Sequence, residues 1–283
     1  MKKYLACLIS VFLIMAILAG CGILPKTESD ATTPATVETE APATAATEMP
    51  TESATEAPTE IPTEAPTEPV PEETEAPAVY EEGTAEYYIH NVYQEQIGRY
   101  YTALSEQWEE GKYFENNMSA QPYYYYEGNP LENVGFGFVD LDNDSSWELV
   151  IGGIMNAEKD PSVFEVWTVV DGAPVMLAQG GYRNRYVLQY VEEDGMWYVV
   201  NEASNSAFSH ATYYLMLEAG KFQVVQGILF DAMANEQNPW FLTLDLDWDA
   251  SNDASVDEET ANSILEINRK FYTALEYFPY SSF

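Results

Sequence analysis

Four acidic side chains lie close together in the segment Val134–Ile154, which reads VGFGFVDLDNDSSWELVIGGI. The carboxylates belong to Asp140, Asp142, Asp144 and Glu148, and short apolar runs flank them on both sides. Calcium takes about six to eight oxygen ligands, and alternate residues of a tight loop can turn several carboxylates towards one point. The spacing therefore predicts a cation-binding loop between two strands. Such a loop indicates how the domain is held together rather than a reaction.

The predicted ligands occupy alternate positions of this loop, from position one to position nine. Ser146 would contribute its backbone carbonyl and the others their carboxylates: Asp140, Asp142, Asp144, Ser146 and Glu148. An EF-hand places its bidentate glutamate at position twelve. Position twelve of this loop is Ile151, so the loop is not an EF-hand.

The stretch GFGFVDLDNDSSWELVIGG resembles the DxDxDxxx[DE]L calcium loops of FG-GAP and VCBS repeats, in which the loop joins two strands. The resemblance implies calcium as a structural cofactor. Those loops usually have glycine at the sixth position, where this chain has Ser145. A non-glycine residue in a left-handed turn costs about 1 kcal/mol, which would weaken calcium binding. An acidic surface turn without a metal is the alternative interpretation.

A second acidic cluster near the C-terminus repeats the same spacing. Its members are Asp245, Asp247, Asp249 and Asp253. Leu244, Leu246 and Trp248 alternate with these acids, as in a half-buried strand with one polar face. A second metal site and a polar strand face are both compatible with this pattern.

Known catalytic motifs are absent from the sequence. It contains no GxSxG, HExxH or phosphate-binding glycine loop, and its two histidines, His90 and His210, lie far apart in the chain. Acidic residues are numerous, but a glycosidase needs two carboxylates about 5–9.5 Å apart across a cleft. The sequence favours a non-catalytic binding function, with a secreted, glycosidase-like hydrolase as the alternative.

The N-terminus has the pattern of a secretion signal. Two lysines precede an apolar run, Tyr4–Ile17, that is too short to span a membrane, and Leu18-Ala19-Gly20-Cys21 follows. This end resembles the lipobox of bacterial lipoproteins, which implies cleavage after residue 20 and a lipid on Cys21. We therefore expect a lipid-anchored protein of the Gram-positive type, facing outwards from the cell membrane. An ordinary cleaved signal is the alternative.

Residues 21–79 are predicted to form a disordered spacer rich in Thr, Glu, Ala and Pro, because the repeated prolines forbid a continuous helix. The formal net charge of the chain is −36. Residues 81–283 contain 34 acidic and 8 basic residues, which gives −26 for this part. A domain this acidic repels nucleic acid, so a nucleic-acid partner is excluded.

Residues 80–283 are predicted to form one α+β domain with a helix at each end. The first helix should end at Gly111, and its apolar stripe is Ile89, Val92, Tyr93, Ile97, Tyr100, Leu104 and Trp108. A capping box of Ser255 and Glu258 should open the last helix. The apolar stripe of that helix is Ile264, Ile267, Phe271 and Leu275.

Between these helices the sequence predicts an antiparallel β-hairpin meander, sandwich-like or partly propeller-like. Hairpin turns are predicted at Asp171-Gly172, Asp194-Gly195 and Ala219-Gly220, and further strands at Tyr123–Tyr126 and Trp240–Trp248. The domain resembles lipoproteins of Gram-positive anaerobes in which a YxxxL helix precedes a DlDgDGxxEL loop and hairpins. That resemblance implies a fold and a cell-surface location but no reaction. An extracellular carbohydrate, peptide or protein is the expected ligand.

Overall fold

A computed structural model describes residues 78–283 of the chain. The predicted signal peptide, Cys21 and the spacer up to residue 77 lie outside the described residues. The helices are α1 (Ala85–Tyr87), α2 (Gln94–Ser105), α3 (Glu110–Glu115), α4 (Pro130–Asn133) and α5 (Glu258–Arg269). The strands are β1 (Val134–Val139), β2 (Glu148–Gly153), β3 (Val163–Val170), β4 (Ala173–Gln179), β5 (Asn184–Val191), β6 (Met196–Ser206), β7 (Ser209–Glu218), β8 (Lys221–Asp231), β9 (Trp240–Thr243), β10 (Ala254–Ser255) and β11 (Phe278–Pro279).

All strand pairs are antiparallel, and strands that follow one another in the chain are mostly neighbours in the sheet. The order is β10-β9-β8-β7-β6-β5-β3-β2-β1-β11, with β4 paired to β3. The two edge strands, β10 and β11, do not pair with each other, so the sheet is open and not closed on itself. The predicted fold class, α+β with a dominant antiparallel hairpin meander, is confirmed.

The sheet divides at β3 into two parts. β3 pairs with β2 and β4 along most of its length but meets β5 at one residue pair, Val163 and Tyr186. Apolar side chains from both parts pack into one buried cluster, in which Val150 and Val166 of the first part join Leu188 of the second. The arrangement is therefore sandwich-like.

Helical segments cover further faces of the two parts. Ile97 and Leu104 of α2 lie in one buried cluster with Phe136 and Ile151 of β1 and β2. At the other end of the chain, Ile264 of α5 belongs to a small cluster with side chains of β8 and β9. Helices at both ends of the domain were predicted, and the structure has them. In the part of the chain that the structure describes, no helix is both long and apolar enough to cross a membrane.

The three predicted hairpins are present, as β3–β4, β5–β6 and β7–β8. Asp171 and Gly172 have φ angles of 52° and 78°, and Ala219 and Gly220 have φ angles of 51° and 73°. Two successive residues with positive φ form the tight turn whose twist matches that of antiparallel strands.

The prediction of one continuous N-terminal helix to Gly111 was wrong. A π-helical turn, Tyr88–Val92, precedes α2, and α2 ends at Ser105. Gln107 then takes a positive φ of 49°, which no α-helix continues through. Beyond this break the Trp108 ring packs edge-on against Tyr113 of α3, so Trp108 belongs with the following helix, which contains Gly111.

One predicted strand, Tyr123–Tyr126, is absent, and another, Trp240–Trp248, is shorter than predicted. The tyrosine run lies in a 3-10 helix, Gln121–Tyr125, which Pro122 can open because its fixed φ suits a first helical turn. In the predicted strand Trp240–Trp248, pairing stops at Thr243. From there the aspartate side chains accept nearby backbone N–H groups, which offers the backbone an alternative to sheet pairing.

The C-terminal helix begins two residues later than predicted. Asp257, not Ser255, is its N-cap, and its carboxylate accepts the N–H of Thr260. Ser255 lies in β10 and pairs with Phe241. The predicted stripe is too long, because α5 ends at Arg269, before Phe271 and Leu275, and Ile267 is 52% exposed.

Candidate metal centre

The acidic loop spans residues 140–147 and joins β1 directly to β2, as predicted. The two strands pair up to the base of the loop, where Val139 stands opposite Glu148. Leu141 is buried and packs into the cluster between the two parts of the sheet. Trp147, at the other end of the loop, packs against the core cluster under the N-terminal helical segment, so apolar side chains tie both ends of the loop to the core.

Three of the predicted ligands converge in this loop. One carboxylate oxygen each from Asp140, Asp142 and Glu148 lies within 4.8 Å of the other two. Between residues 78 and 283, no other set of three or more His, Cys, Asp or Glu side chains meets this condition. The sequence therefore located a cluster with a spacing that suits a cation.

The loop backbone is held by the carboxylates of Asp140 and Asp144. Asp140 accepts the N–H groups of Asp144 at 3.1 Å and Ser145 at 3.0 Å. Asp144 accepts the N–H of Ser146 at 2.6 Å, and its carboxylate is outside the group of three. Ser145 has a φ of 76°, so the left-handed conformation predicted at position six is present.

Glu148 is the most enclosed member of the group, with 1% of its surface exposed. One carboxylate oxygen accepts the N–H of Leu141 and the other accepts the hydroxyl of Thr168, both at 2.8 Å. Burial, aided by the nearby charges of Asp142 and Asp144, raises the pKa of Glu148 to about 7. Sequence reasoning missed Thr168, because it lies on β3, a strand away, and no local spacing marks it.

Asp142 supplies the least satisfied oxygen of the centre. Its Oδ1 atom is buried and has no hydrogen-bond partner among the described residues. Burial and the charge of Asp144 raise the pKa of its carboxyl group. Each carboxylate oxygen has lone pairs beyond those used in one hydrogen bond, and calcium prefers such hard oxygen donors. The residues therefore fit a divalent cation, which would supply the missing positive charge.

The second acidic cluster has a different arrangement. The carboxylates of Asp245, Asp247 and Asp249 each accept the N–H of the residue two positions further on, at 2.9–3.2 Å. Each acid therefore caps its own stretch of backbone. Asp253 lies after a short 3-10 helix, Ala250–Asn252. These four acids do not form a convergent group of the kind seen at Glu148.

One further buried carboxylate, Glu165 on β3, was not singled out from the sequence. It accepts the N–H of Ser119 at 2.8 Å and the indole N–H of Trp167 at 2.9 Å. Burial raises its pKa. An acid inside the apolar strand VFEVWTVV was the available signal. Because Ser119 precedes the tyrosine-rich 3-10 helix, Glu165 joins that helical segment to the sheet.

The two histidines occupy ring stacks. His90 stacks on Tyr80 with the ring centroids 4.5 Å apart, and His210 stacks on Phe230 at 4.6 Å. The predicted lipidation residue, Cys21, lies outside the described residues. Among the described residues, the candidate metal centre is therefore the group of Asp140, Asp142 and Glu148.

Comparison of the chain with protein-family models, with curated proteins and with solved structures finds no match.

Proposed function

We propose that this protein is a bacterial surface lipoprotein whose domain, residues 80–283, is a non-catalytic extracellular binding module organised by a structural calcium ion. The observation that carries the proposal is the convergence of Asp140, Asp142 and Glu148 in the β1–β2 loop. A lipid on Cys21 would anchor the module, and the acidic spacer would hold it away from the membrane. The hydrolase alternative has no comparable support, because the buried Glu148 and Glu165 are each engaged by hydrogen bonds within the fold.

The position of the loop supports a structural role for the ion. Next to Glu148, Trp147 donates its N–H to the hydroxyl of Tyr88 at 3.0 Å, and its carbonyl accepts the hydroxyl of Tyr93 at 3.0 Å. The loop therefore connects the N-terminal helical segment to the sheet, while Thr168 ties it to β3. These contacts exist only when the chain is folded. An ion held there would bind the folded state in preference to the unfolded state and so stabilise it.

Melting curves with calcium and with a chelator test this proposal. Extracellular calcium modules commonly bind with a Kd of about 10⁻⁴–10⁻³ M. Calcium at about a hundredfold excess over Kd adds about 2.7 kcal/mol to the free energy of unfolding. We expect a rise in Tm of several degrees for the wild type and little or no rise for Asp142→Asn.

The matched control is Asp247→Asn, which changes the same residue type in the second acidic cluster and should keep the calcium-dependent rise. Curves for the wild type that superimpose with and without calcium would reduce the loop to an acidic turn. A rise that disappears only in Asp247→Asn would place the ion in the second cluster.

A further inference from the structure

A cleft of about 480 Å³ lies beside the N-terminal helical segment, away from the calcium loop. One wall is formed by α3 and by the 3-10 helix Gln121–Tyr125. The connection between β2 and β3, the connection between β4 and β5 and the start of β5 also line the cleft. Ligand sites are usually concave and of about this volume, with apolar walls and a few polar groups.

Exposed aromatic rings line this cleft. Phe114 is 61% exposed, Tyr124 is 56% exposed and Tyr182 is 91% exposed. The Tyr124 ring is held in place, because its hydroxyl donates to Glu110 at 3.0 Å and its edge packs against Tyr123. Large aromatic side chains left in water do not contribute to the core. A ring that is fixed before binding, as Tyr124 is, loses little entropy when a ligand covers it.

Polar side chains also line the cleft. Gln121 and Asn156 line the cleft and can both donate and accept hydrogen bonds. Arg185 pairs with Asp160 at 3.3 Å and with Glu202 at 3.2 Å, so acids already balance its positive charge. The cleft thus offers planar hydrogen-bonding groups without an excess positive charge.

From this combination we infer that the cleft binds a short, neutral oligosaccharide. A sugar ring has an apolar C–H face that can lie on an aromatic ring, and its hydroxyl groups need donors and acceptors such as those that line the cleft. The balanced arginine and the acidity of the domain disfavour an anionic ligand. The inference deepens the proposed binding function, on which it rests, by naming the ligand class.

Isothermal titration of the full-length, calcium-loaded protein with cellotetraose, xylotetraose, mannotetraose and chitotetraose tests the inference. We expect at least one of these probes to bind, with Tyr124→Ala and Tyr182→Ala each lowering its affinity about tenfold or more, or about 1.4 kcal/mol. The matched control is Phe208→Ala. Phe208 is a similarly exposed ring, 59% exposed, that does not line the cleft, and its replacement should leave the affinity unchanged.

Gly181→Leu provides a second variant that blocks the cleft instead of removing a ring. Gly181 lines the cleft, and a Cβ atom added there meets no other atom within 4 Å. Its backbone exchanges hydrogen bonds with Asn184, and these bonds survive the substitution. We expect this variant to melt like the wild type and to lose the probe.

A Kd of about 1 mM already corresponds to weak binding. If none of the four oligosaccharides binds at concentrations up to about 10 mM, the inference is wrong. It is also wrong if binding survives both tyrosine substitutions and Gly181→Leu. A third outcome is that an unstructured basic peptide binds, that no sugar binds, and that these variants lose the peptide. That outcome would assign the cleft to peptides instead. Calcium-dependent melting is measured without sugar, so the calcium part of the proposed function stands or fails separately.

Discussion

At the scale of single residues, the acidic loop combines backbone strain with uncompensated charge. Ser145 holds a left-handed conformation that favours glycine, and Asp142 holds a buried oxygen without a partner among residues 78–283. Both features destabilise the loop when it is empty of metal, by steric strain and by desolvation respectively. A bound cation would offset the second feature but not the first.

Substitution of Ser145 by glycine should stabilise the domain. At a φ of 76° a side chain costs about 1 kcal/mol that glycine avoids. Glycine also adds freedom to the unfolded chain, so Ser145→Gly should raise the free energy of unfolding by roughly 0.5 kcal/mol. Urea denaturation measures the difference. The neighbouring Ser146→Gly is the control, because Ser146 does not have a positive φ and glycine there only adds freedom to the unfolded chain. A gain from Ser146→Gly as large as that from Ser145→Gly would contradict the strain argument.

The protonation of Glu148 should make the stability of the metal-free domain depend on pH. Because burial raises its pKa from 4.5 to about 7, the folded state keeps a proton that the unfolded state has lost between these values. Stability must then fall as pH rises through this range, by roughly 3 kcal/mol for this one group. Melting curves in chelator from pH 4.5 to pH 7 measure the fall.

Glu148→Gln should flatten this pH dependence, whereas Glu132→Gln, at an exposed position of α4, should leave it unchanged. Calcium should also suppress the fall, since a cation stabilises the ionised carboxylate. Equal slopes for the wild type and Glu148→Gln would show that Glu148 titrates normally.

At the scale of elements, short helical pieces are fixed by contacts with the sheet. The 3-10 helix Gln121–Tyr125 is held where Tyr125 packs edge-on against Phe164 of β3, with the ring centroids 5.1 Å apart. At its other edge the Tyr126 hydroxyl donates to the carbonyl of Trp108 at 2.9 Å. Tyr123–Tyr125 lie in this helix and Tyr126 is its C-cap, so the four adjacent rings spread around the helix axis, whereas a strand would divide them between two faces.

The cap of α5 can be tested directly. Asp257→Ala removes the acceptor of the Thr260 N–H and should lower the free energy of unfolding by about 1 kcal/mol. Ser255→Ala is the control, because Ser255 lies in β10 and its hydroxyl only accepts a surface hydrogen bond from Asn238. Urea midpoints for both variants measure the two costs. A larger cost for Ser255→Ala would support the capping box predicted from the sequence.

At the scale of the whole molecule, the acidic loop and the aromatic cleft lie at opposite ends of β2 in the same sandwich-like domain. The loop joins β1 to β2 at one end of the strands, and the cleft involves the connection that leaves β2 at the other end. A ligand in the cleft would therefore contact a connection that begins at β2, the strand that the acidic loop joins to β1. The N-terminal sequence predicts that the protein faces outwards from the cell. In that location the loop could bind extracellular calcium and the cleft could bind an extracellular ligand.

The lipid anchor is tested by Cys21→Ser. Without the thiol no lipid can be attached, so we expect the variant to appear in the culture medium or to keep its unprocessed signal. Membrane fractionation with immunoblotting measures the location, and mass spectrometry of the wild type should detect the lipid on Cys21. Cys7→Ser is the control, because Cys7 is predicted to leave with the signal peptide. A Cys21→Ser protein that is cleaved normally and stays in the membrane fraction would refute the anchor.

The sequence alone was sufficient for features that depend on local spacing. The β1–β2 loop follows from the alternation of Asp140 and Asp142 between apolar runs, and the hairpin at Asp171-Gly172 follows from the positive φ that such residues tolerate. A few adjacent residues carry the whole signal in each case. The α+β class follows from the same hairpins together with helical periodicity at the two ends.

Only the tertiary structure decided the features that depend on contacts between distant segments. Thr168 donates a hydrogen bond to Glu148 from a neighbouring strand, and Asp144, which accepts the N–H of Ser146, lies outside the group of three. The cleft likewise brings Tyr124 and Tyr182 together from connections more than fifty residues apart. No local sequence pattern predicts these contacts between distant segments. They form when the sandwich buries apolar surface across the whole domain, because that burial determines which segments become neighbours.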